Sequence, residues 1–269
     1  MIEDIKKLFS TVQQRNPLVH QITNTVTIND CANVTLAIGG SPVMASSPEE
    51  AEDMVKIANA LVINFGTLDD SSFEAMLLAG KTANQLGIPV VFDPVGAGAT
   101  PFRTKRAVQL LQEVRIGIIR GNASEMNSLI GGTAGTRGVD SGNVDTDITR
   151  LAMDVANQFH CVAVISGARD VISNGSTAIY CDNGHPFLTK ITGSGCMATA
   201  LIGVFAGAAE DMMAAAVAGI SVMSLAGEMT FGEMQTPVGA GTFRVKLMDC
   251  ISTMTDEIWE NGVKLVEIT

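Results

Sequence analysis

A single α/β domain over residues 1–269 is predicted, with a central, mostly parallel sheet flanked by helices on both faces and a helical C-terminal third. Three observations predict it. Short apolar runs alternate with segments of helical spacing, those runs are apolar at successive positions, and from Gly195 onward the pattern is almost wholly helical. A strand that is apolar at successive positions presents hydrophobic side chains to both sides, so it needs a helical layer on each face. The crossovers that such a sheet requires are nearly always right-handed. Hydrophobic residues make up 46% of the chain, enough to fill both layers.

The elements follow in order. Pro17–Thr27 contains a short strand with polar residues behind it, and Ser41–Ala45 is a second extended wall. Ser47 and Glu50 have the spacing of a capping box and open a helix towards Ala58. Ala60–Asn64 is a buried strand. In Asp69–Leu86 the residues Phe73, Met76, Leu77, Ala83 and Leu86 recur at helical spacing, and Gly87 stops the helix. Pro89–Phe92 is the next strand and ends at Asp93-Pro94. Pro101–Gln112 is helical and leads to a strand at Ile116–Ile119, after which Asn122 caps a short helix through Leu129. Gly131–Asp145 is a Gly-rich surface loop, either a lid or simply a connection. Asp147–Phe159 is helical and Cys161–Ile165 is a strand. Between Asp170 and Thr189 polar–apolar alternation points to antiparallel strands at the sheet's edge.

Cys196–Ala209 and Met212–Gly227 carry no charge, but Glu210-Asp211 interrupts them before the roughly 20 apolar residues of a membrane span are reached. Their Gly, Ala and Ser content suits helices packed closely inside a core.

Composition excludes several classes of function. Lys and Arg number 17 against 28 Asp and Glu, a net charge of −11. That sign opposes non-specific nucleic-acid binding and adhesion to an anionic membrane, both of which need a basic surface. The 5 cysteines are odd in number, scattered and without a Cys-x-x-Cys, which argues against a disulfide framework or a zinc ribbon. His20, His160 and His185 have no thiol at metal-site spacing. Acidic residues in Met1–Lys7, where a secretory signal would be basic, give the expectation of a cytoplasmic protein.

Open parallel sheets bind ligands beyond the carboxyl ends of their strands. That rule selects Asn64–Thr67, Asp93–Thr100, Arg120–Glu125 and Ser166-Gly167. Thr192-Gly193-Ser194-Gly195-Cys196 precedes a long helix, so successive backbone N–H groups there can converge on an anion, and the helix end should lower the Cys196 thiol's pKa. A Gly-rich turn followed by a buried cysteine is the plainer alternative. Asp93, at a strand end before a glycine loop, suits a hydrated Mg²⁺ near phosphate, or it simply satisfies loop amides. Arg120 can clamp phosphate oxygens. Glu125 can complete a metal's water shell while also serving as the third residue of a helix capped by Asn122. His20 reads as a structural histidine.

Taken together, Pro17–Thr27, Gly40–Met44, Asp93–Arg103, Arg120–Glu125 and Thr192–Cys196 closely resemble the hydroxyethylthiazole kinases of the ribokinase-like superfamily, in both order and spacing. The resemblance implies transfer of the ATP γ-phosphoryl to the primary alcohol of 4-methyl-5-(2-hydroxyethyl)thiazole, with Mg²⁺, for thiamine synthesis or salvage. It also implies a homotrimer with active sites between neighbouring subunits. By the same resemblance, substrate contacts fall on Asn24, Val26, Met44 and the Gly193 backbone, and nucleotide contacts on Arg120, Ser166 and Thr192. Asp93 and Glu125 would serve the metal, largely through water. Gly193, Ser194, Gly195 and Cys196 would form the anion hole, with Cys196 where the wider superfamily carries an aspartate. Two other readings stay open: a related kinase of a hydroxymethyl pyrimidine or of pyridoxal, and a non-catalytic small-molecule sensor.

Overall fold

The structure, a computed structural model, describes residues 1–131, 144–235 and 237–268, with residues 144–147 described as helical backbone only. The 132–143 part of the Gly-rich loop lies outside the described residues. The first half of the chain runs α1 (Ile2–Arg15), β1 (Leu18–Ile22), α2 (Ile28–Ile38), β2 (Ser41–Val43), α3 (Pro48–Lys56), β3 (Ala60–Asn64), α4 (Asp70–Leu86) and β4 (Val90–Asp93). It continues through α5 (Pro101–Glu113), β5 (Ile118–Asn122), α6 (Ala123–Leu129), α7 (Val144–Phe159), β6 (Val162–Ser166), β7 (Asp170–Ser173) and β8 (Ala178–Cys181). A 3₁₀ turn (Pro186–Lys190) then leads to α8 (Ser194–Ala208), α9 (Met212–Gly232), α10 (Ala240–Ser252), α11 (Asp256–Gly262) and β9 (Leu265–Ile268).

Nine strands form one sheet in the order β2-β1-β3-β4-β5-β6-β7-β8-β9. The pairs from β2 through β6 are parallel and those from β6 to β9 antiparallel. From β1 the chain steps to β2 on one side and then returns to β3 on the other. The sheet's topological switch point therefore lies between β1 and β3, with a crevice beyond their carboxyl ends.

The strands are apolar at successive positions because both faces are covered. Val19, Val62, Val91, Ile118 and Val164 pack into the layer of α1, α2 and α8–α11. Ile22, Leu61, Ile63, Phe92, Ile119 and Ile165 pack into the layer of α3–α7. Helix α9 is long and apolar enough to cross a membrane by length and composition, but 83% of its most apolar window is buried within the fold. It packs against α8 and α10, and Trp259 Nε1 donates to Ser221 Oγ on it at 2.8 Å.

Two expectations need correction. Ser47 caps α3 through Glu49 N, with no reciprocal bond from Glu50, so the capping box does not form there. Its place is taken by two boxes elsewhere, Asp69 with Ser72 and Asn122 with Glu125. The C-terminal third is helical except for β9, where a short run of alternating residues finds the open edge of β8. Residue pattern alone does not assign so short a run; the unpaired edge decides it.

Candidate active site

Five of the strand-end and helix-start segments meet beyond the switch point. Asn24 follows β1, Asn64 ends β3, Asp93 ends β4, Arg120 lies near the end of β5, and Cys196 sits in the first turn of α8. A cavity of about 350 Å³ is lined by Asn24, Val26, Asp93, Arg120, Glu125, Thr192, Gly193, Gly195 and Cys196 among others. A second cavity of about 460 Å³ shares Arg120 and Gly195 with it and extends along Ser166, Asp170 and Gly184 to Ser224. Both volumes fall in the small-molecule range.

The start of α8 depends on two glycines. Gly193, at φ 84°, takes the left-handed conformation that an L side chain resists, and it has no side chain to cap the helix. The first-turn N–H groups of a helix have no partner within it, so those following Gly193 face the junction of the two cavities. A side chain on Gly195 would collide with the Arg120 guanidinium, so its absence lets the arginine lie against the helix mouth.

Arg120 is itself held in place. Its Nη2 donates to Ser166 Oγ at 2.7 Å and its Nη1 lies 3.7 Å from Asp93 Oδ2, while its Nε is buried without a partner. On Asp93, Oδ2 accepts from Asn64 Nδ2 at 2.8 Å and from Thr199 Oγ1 at 2.9 Å, whereas Oδ1 is buried and unpartnered. Burial raises this carboxyl to about 6, against the opposing pull of Arg120. Glu125 accepts from Gly96 N and Asn122 N, both at 2.9 Å, so the residue that completes the cap of α6 also binds the glycine loop after β4.

The Cys196 thiol runs against the sequence-based expectation. It is pushed up, chiefly by burial and then by the Asp93 carboxylate, and the Asn24, Asn64 and Thr27 side chains only partly oppose this. A helix end lowers a thiol's pKa where the thiol is partly solvated; here the pocket walls have removed most of its water.

Not every candidate converges. Met44 is half-buried against the core on the β2 side and lines neither cavity. Val26 lines the smaller cavity but is 64% exposed. His20 is fully buried and bonded to the Ala45 carbonyl at 2.7 Å, and burial lowers its pKa. The sequence reading missed Thr199, although it stands one helical turn beyond Cys196 and so on the same face. Arg103, at the end of the Asp93–Arg103 segment but given no role by the sequence, donates to the carbonyls of Phe65, Gly66 and Val95 and clamps two strand-end loops together.

Among the described residues no group of three or more His, Cys, Asp or Glu could hold a metal directly. The free Asp93 oxygen, with Glu125 nearby on the same wall, fits an ion retained through water and ligand phosphates.

The chain matches the sequence profile of the hydroxyethylthiazole kinase family over residues 9–257. It is 45% identical over 269 residues to a hydroxyethylthiazole kinase from Ruminiclostridium cellulolyticum, covering 99% of this chain and 98% of the relative. A solved hydroxyethylthiazole kinase from Pyrococcus horikoshii superposes with a TM-score of 0.89 at 36% identity, over 99% of this chain and all of the other. A pyridoxal kinase from Staphylococcus aureus, solved with ADP, shares the fold at a TM-score of 0.65 and 14% identity, over 94% of this chain and 99% of its own.

Proposed function

The chain belongs to the hydroxyethylthiazole kinase family and so phosphorylates a thiazole alcohol with ATP; we propose that it does so at the junction of the two cavities. The observation that carries this reading is a single one. A buried arginine, a carboxylate with one oxygen unpartnered and the mouth of a long helix line one crevice at the switch point of the sheet. That is an arrangement for anions in transit between two small molecules.

The larger cavity takes the nucleotide, against Arg120 and Ser166, and its phosphates reach Thr192 where the smaller cavity begins. The smaller takes 4-methyl-5-(2-hydroxyethyl)thiazole, against Asn24, Val26 and the Gly193 backbone. Asp93, through its free Oδ1, and Glu125 would hold Mg²⁺ by way of water. When bound, the ion neutralises phosphate charge on ATP.

The alcohol oxygen attacks the γ-phosphorus, an O–P bond forms, and the bond from phosphorus to the β,γ-bridging oxygen breaks to release ADP. The alcohol proton passes to Cys196 Sγ in its thiolate form, which the Asn24 and Asn64 amides favour, late in the transfer, and the sulfur ends the step as a thiol. The amides of Ser194, Gly195 and Cys196 hold the migrating phosphoryl group, and Arg120 steadies the leaving phosphates.

Three copies are proposed to assemble with active sites between neighbours. Val26, at the lip of the smaller cavity, is 64% exposed and Leu36 on α2 is 58% exposed, both apolar surfaces that a neighbour would cover. Met44 would then reach the pocket from an adjacent copy. The residues form a single domain, placed in the cytoplasm, where its five free cysteines stay reduced.

The test is ADP release with Mg·ATP and a panel of alcohols. Selective turnover of the thiazole alcohol over a hydroxymethylpyrimidine and pyridoxal supports the reading, and preference for either rival overturns it. Light scattering on the eluting peak should give three times the mass of one chain.

A further inference from the structure

Asn64 closes β3 on the opposite side of the switch point from Asn24, and its buried amide is fully committed. Oδ1 accepts from Gly66 N and from Asn24 Nδ2, both at 2.9 Å. Nδ2 donates to Asp93 Oδ2 at 2.8 Å and to Cys196 Sγ at 3.3 Å. The orientation of the amide has no alternative. A backbone N–H can face only the oxygen, and a carboxylate oxygen without a proton can face only the N–H₂ group.

Asn24 is pinned in the same way. Its Oδ1 accepts from the N and Oγ1 of Thr27, both at 3.0 Å, which leaves Nδ2 to face Asn64 Oδ1 and, at 3.3 Å, Cys196 Sγ. The sulfur therefore receives one amide donor from each side of the switch point. Sulfur is a weak acceptor as a thiol and a much better one when it carries charge, so these donors favour the form that can receive a proton. Asn64 and Thr199 both donate to Asp93 Oδ2, which leaves the other carboxylate oxygen buried and without a partner beside the pocket.

We infer that Asn64 is a positioning residue for the transfer: its one amide orients the Cys196 sulfur with one N–H and the Asp93 carboxylate with the other. The inference rests on the reading of Cys196 as proton acceptor. It assigns to a strand-end amide, which itself touches neither substrate, the alignment of two groups that come from elements far apart in the chain.

The experiment is a double-mutant cycle on the full-length enzyme: Asn64→Ala, Asn64→Ser, Cys196→Ala and the two combinations, with steady-state kinetics for both substrates. Each Asn64 variant should lower kcat by about 10- to 100-fold while both KM values stay within about threefold. In the Cys196→Ala background the same substitutions should cost several-fold less than in the parent, because one of the two groups they orient is gone and only the Asp93 carboxylate is left to misalign. Folding is checked by gel filtration and circular dichroism. Serine retains a hydroxyl for Gly66 N, so Asn64→Ser keeps the cycle usable if the alanine variant does not fold. An undiminished kcat loss in the Cys196→Ala background overturns the inference, as does a loss expressed mainly in KM. So does failure of both Asn64 variants to fold, which would make the residue a structural pin. If Cys196→Ala alone leaves kcat unchanged, the proton-acceptor reading fails first and takes the positioning role with it.

Discussion

Arg120 Nη1 lies 3.7 Å from Asp93 Oδ2 in a pair that is almost wholly buried, yet Nε of the arginine and Oδ1 of the aspartate have no partner. Burying a charge with an atom left unpaired is costly unless a ligand completes it. Arg120 lines both cavities and Asp93 the smaller one, so the incompletely paired charges stand beside the passage between them.

Arg120→Ala should therefore act on the nucleotide. A charge-assisted hydrogen bond is worth enough to raise the KM for ATP by about 10- to 100-fold, while the KM for the thiazole stays within about threefold. Steady-state kinetics with each substrate varied in turn measures the split. Equal effects on both would mean that the side chain supports the sheet end, through Ser166, and does not hold phosphate.

Cys196→Asp should remain active. A carboxylate at that position would meet the same two donors, Asn24 Nδ2 and Asn64 Nδ2, that now face the sulfur. It would also be a better acceptor than a thiol whose pKa burial has pushed up. Cys196→Ala, with neither group, should lose at least about tenfold in kcat. A folded but inactive Cys196→Asp enzyme would contradict a proton-accepting role.

Stability should depend on pH through Asp93. Its carboxyl titrates at about 6 in the folded chain, against 3.8 for the ordinary group, mainly because it is buried. A raised acid binds its proton more tightly folded than unfolded, so its contribution is complete below about pH 4 and lost as the pH rises through about 6. Asp93→Asn removes that loss. Compared at pH 4 and pH 7 without Mg²⁺, the variant should lose about 1–3 kcal/mol less than the parent. Asp170, also raised by burial, acts in the same direction, so the slope should shrink without vanishing. Urea titrations across this range decide the matter, and an unchanged slope would mean that Asp93 is not raised.

Asn122→Ala should destabilise the protein by about 1 kcal/mol, the usual cost of losing a helix cap. It should also release Glu125, whose backbone N–H bonds Asn122 Oδ1 at 2.9 Å. The Mg²⁺ concentration for half-maximal rate should then rise, whereas Asn122→Asp, which keeps the cap, should change neither quantity much. Denaturant melts and a magnesium titration of initial rate provide both numbers.

Much of the fold could be read from residue order because the forces behind it are local. Gly87, in the left-handed conformation, ends α4 where the helical spacing stops, and Asn122 caps α6 as its side chain allows. Ala60–Ile63 is apolar throughout because helices cover both faces of the strand. The strand beginning at Ile116 by pattern starts instead at Ile118, since pairing with Val91 and Val162, not hydrophobicity, sets where a ladder begins.

The candidate site was legible as a set of segments and not as a set of contacts. Asp93, Arg120 and Cys196 stood out because each follows a buried strand or opens a helix. Asn64 ended such a strand as well, but an amide carries no charge to attract attention, and its four partners lie from 2 to 132 residues away.

By itself the sequence determined the class of fold, the family, and which strand ends carry chemistry, because periodicity, capping and glycine placement act over a few residues. Only the tertiary structure decided the protonation tendencies and orientations. Cys196 lies beneath walls that strip its water, and Asp93 Oδ2 takes two hydrogen bonds and the Arg120 charge while Oδ1 stays unpartnered. Desolvation and hydrogen-bond direction depend on which distant groups arrive at the same place, and only the packed sheet and its two helical layers bring them there.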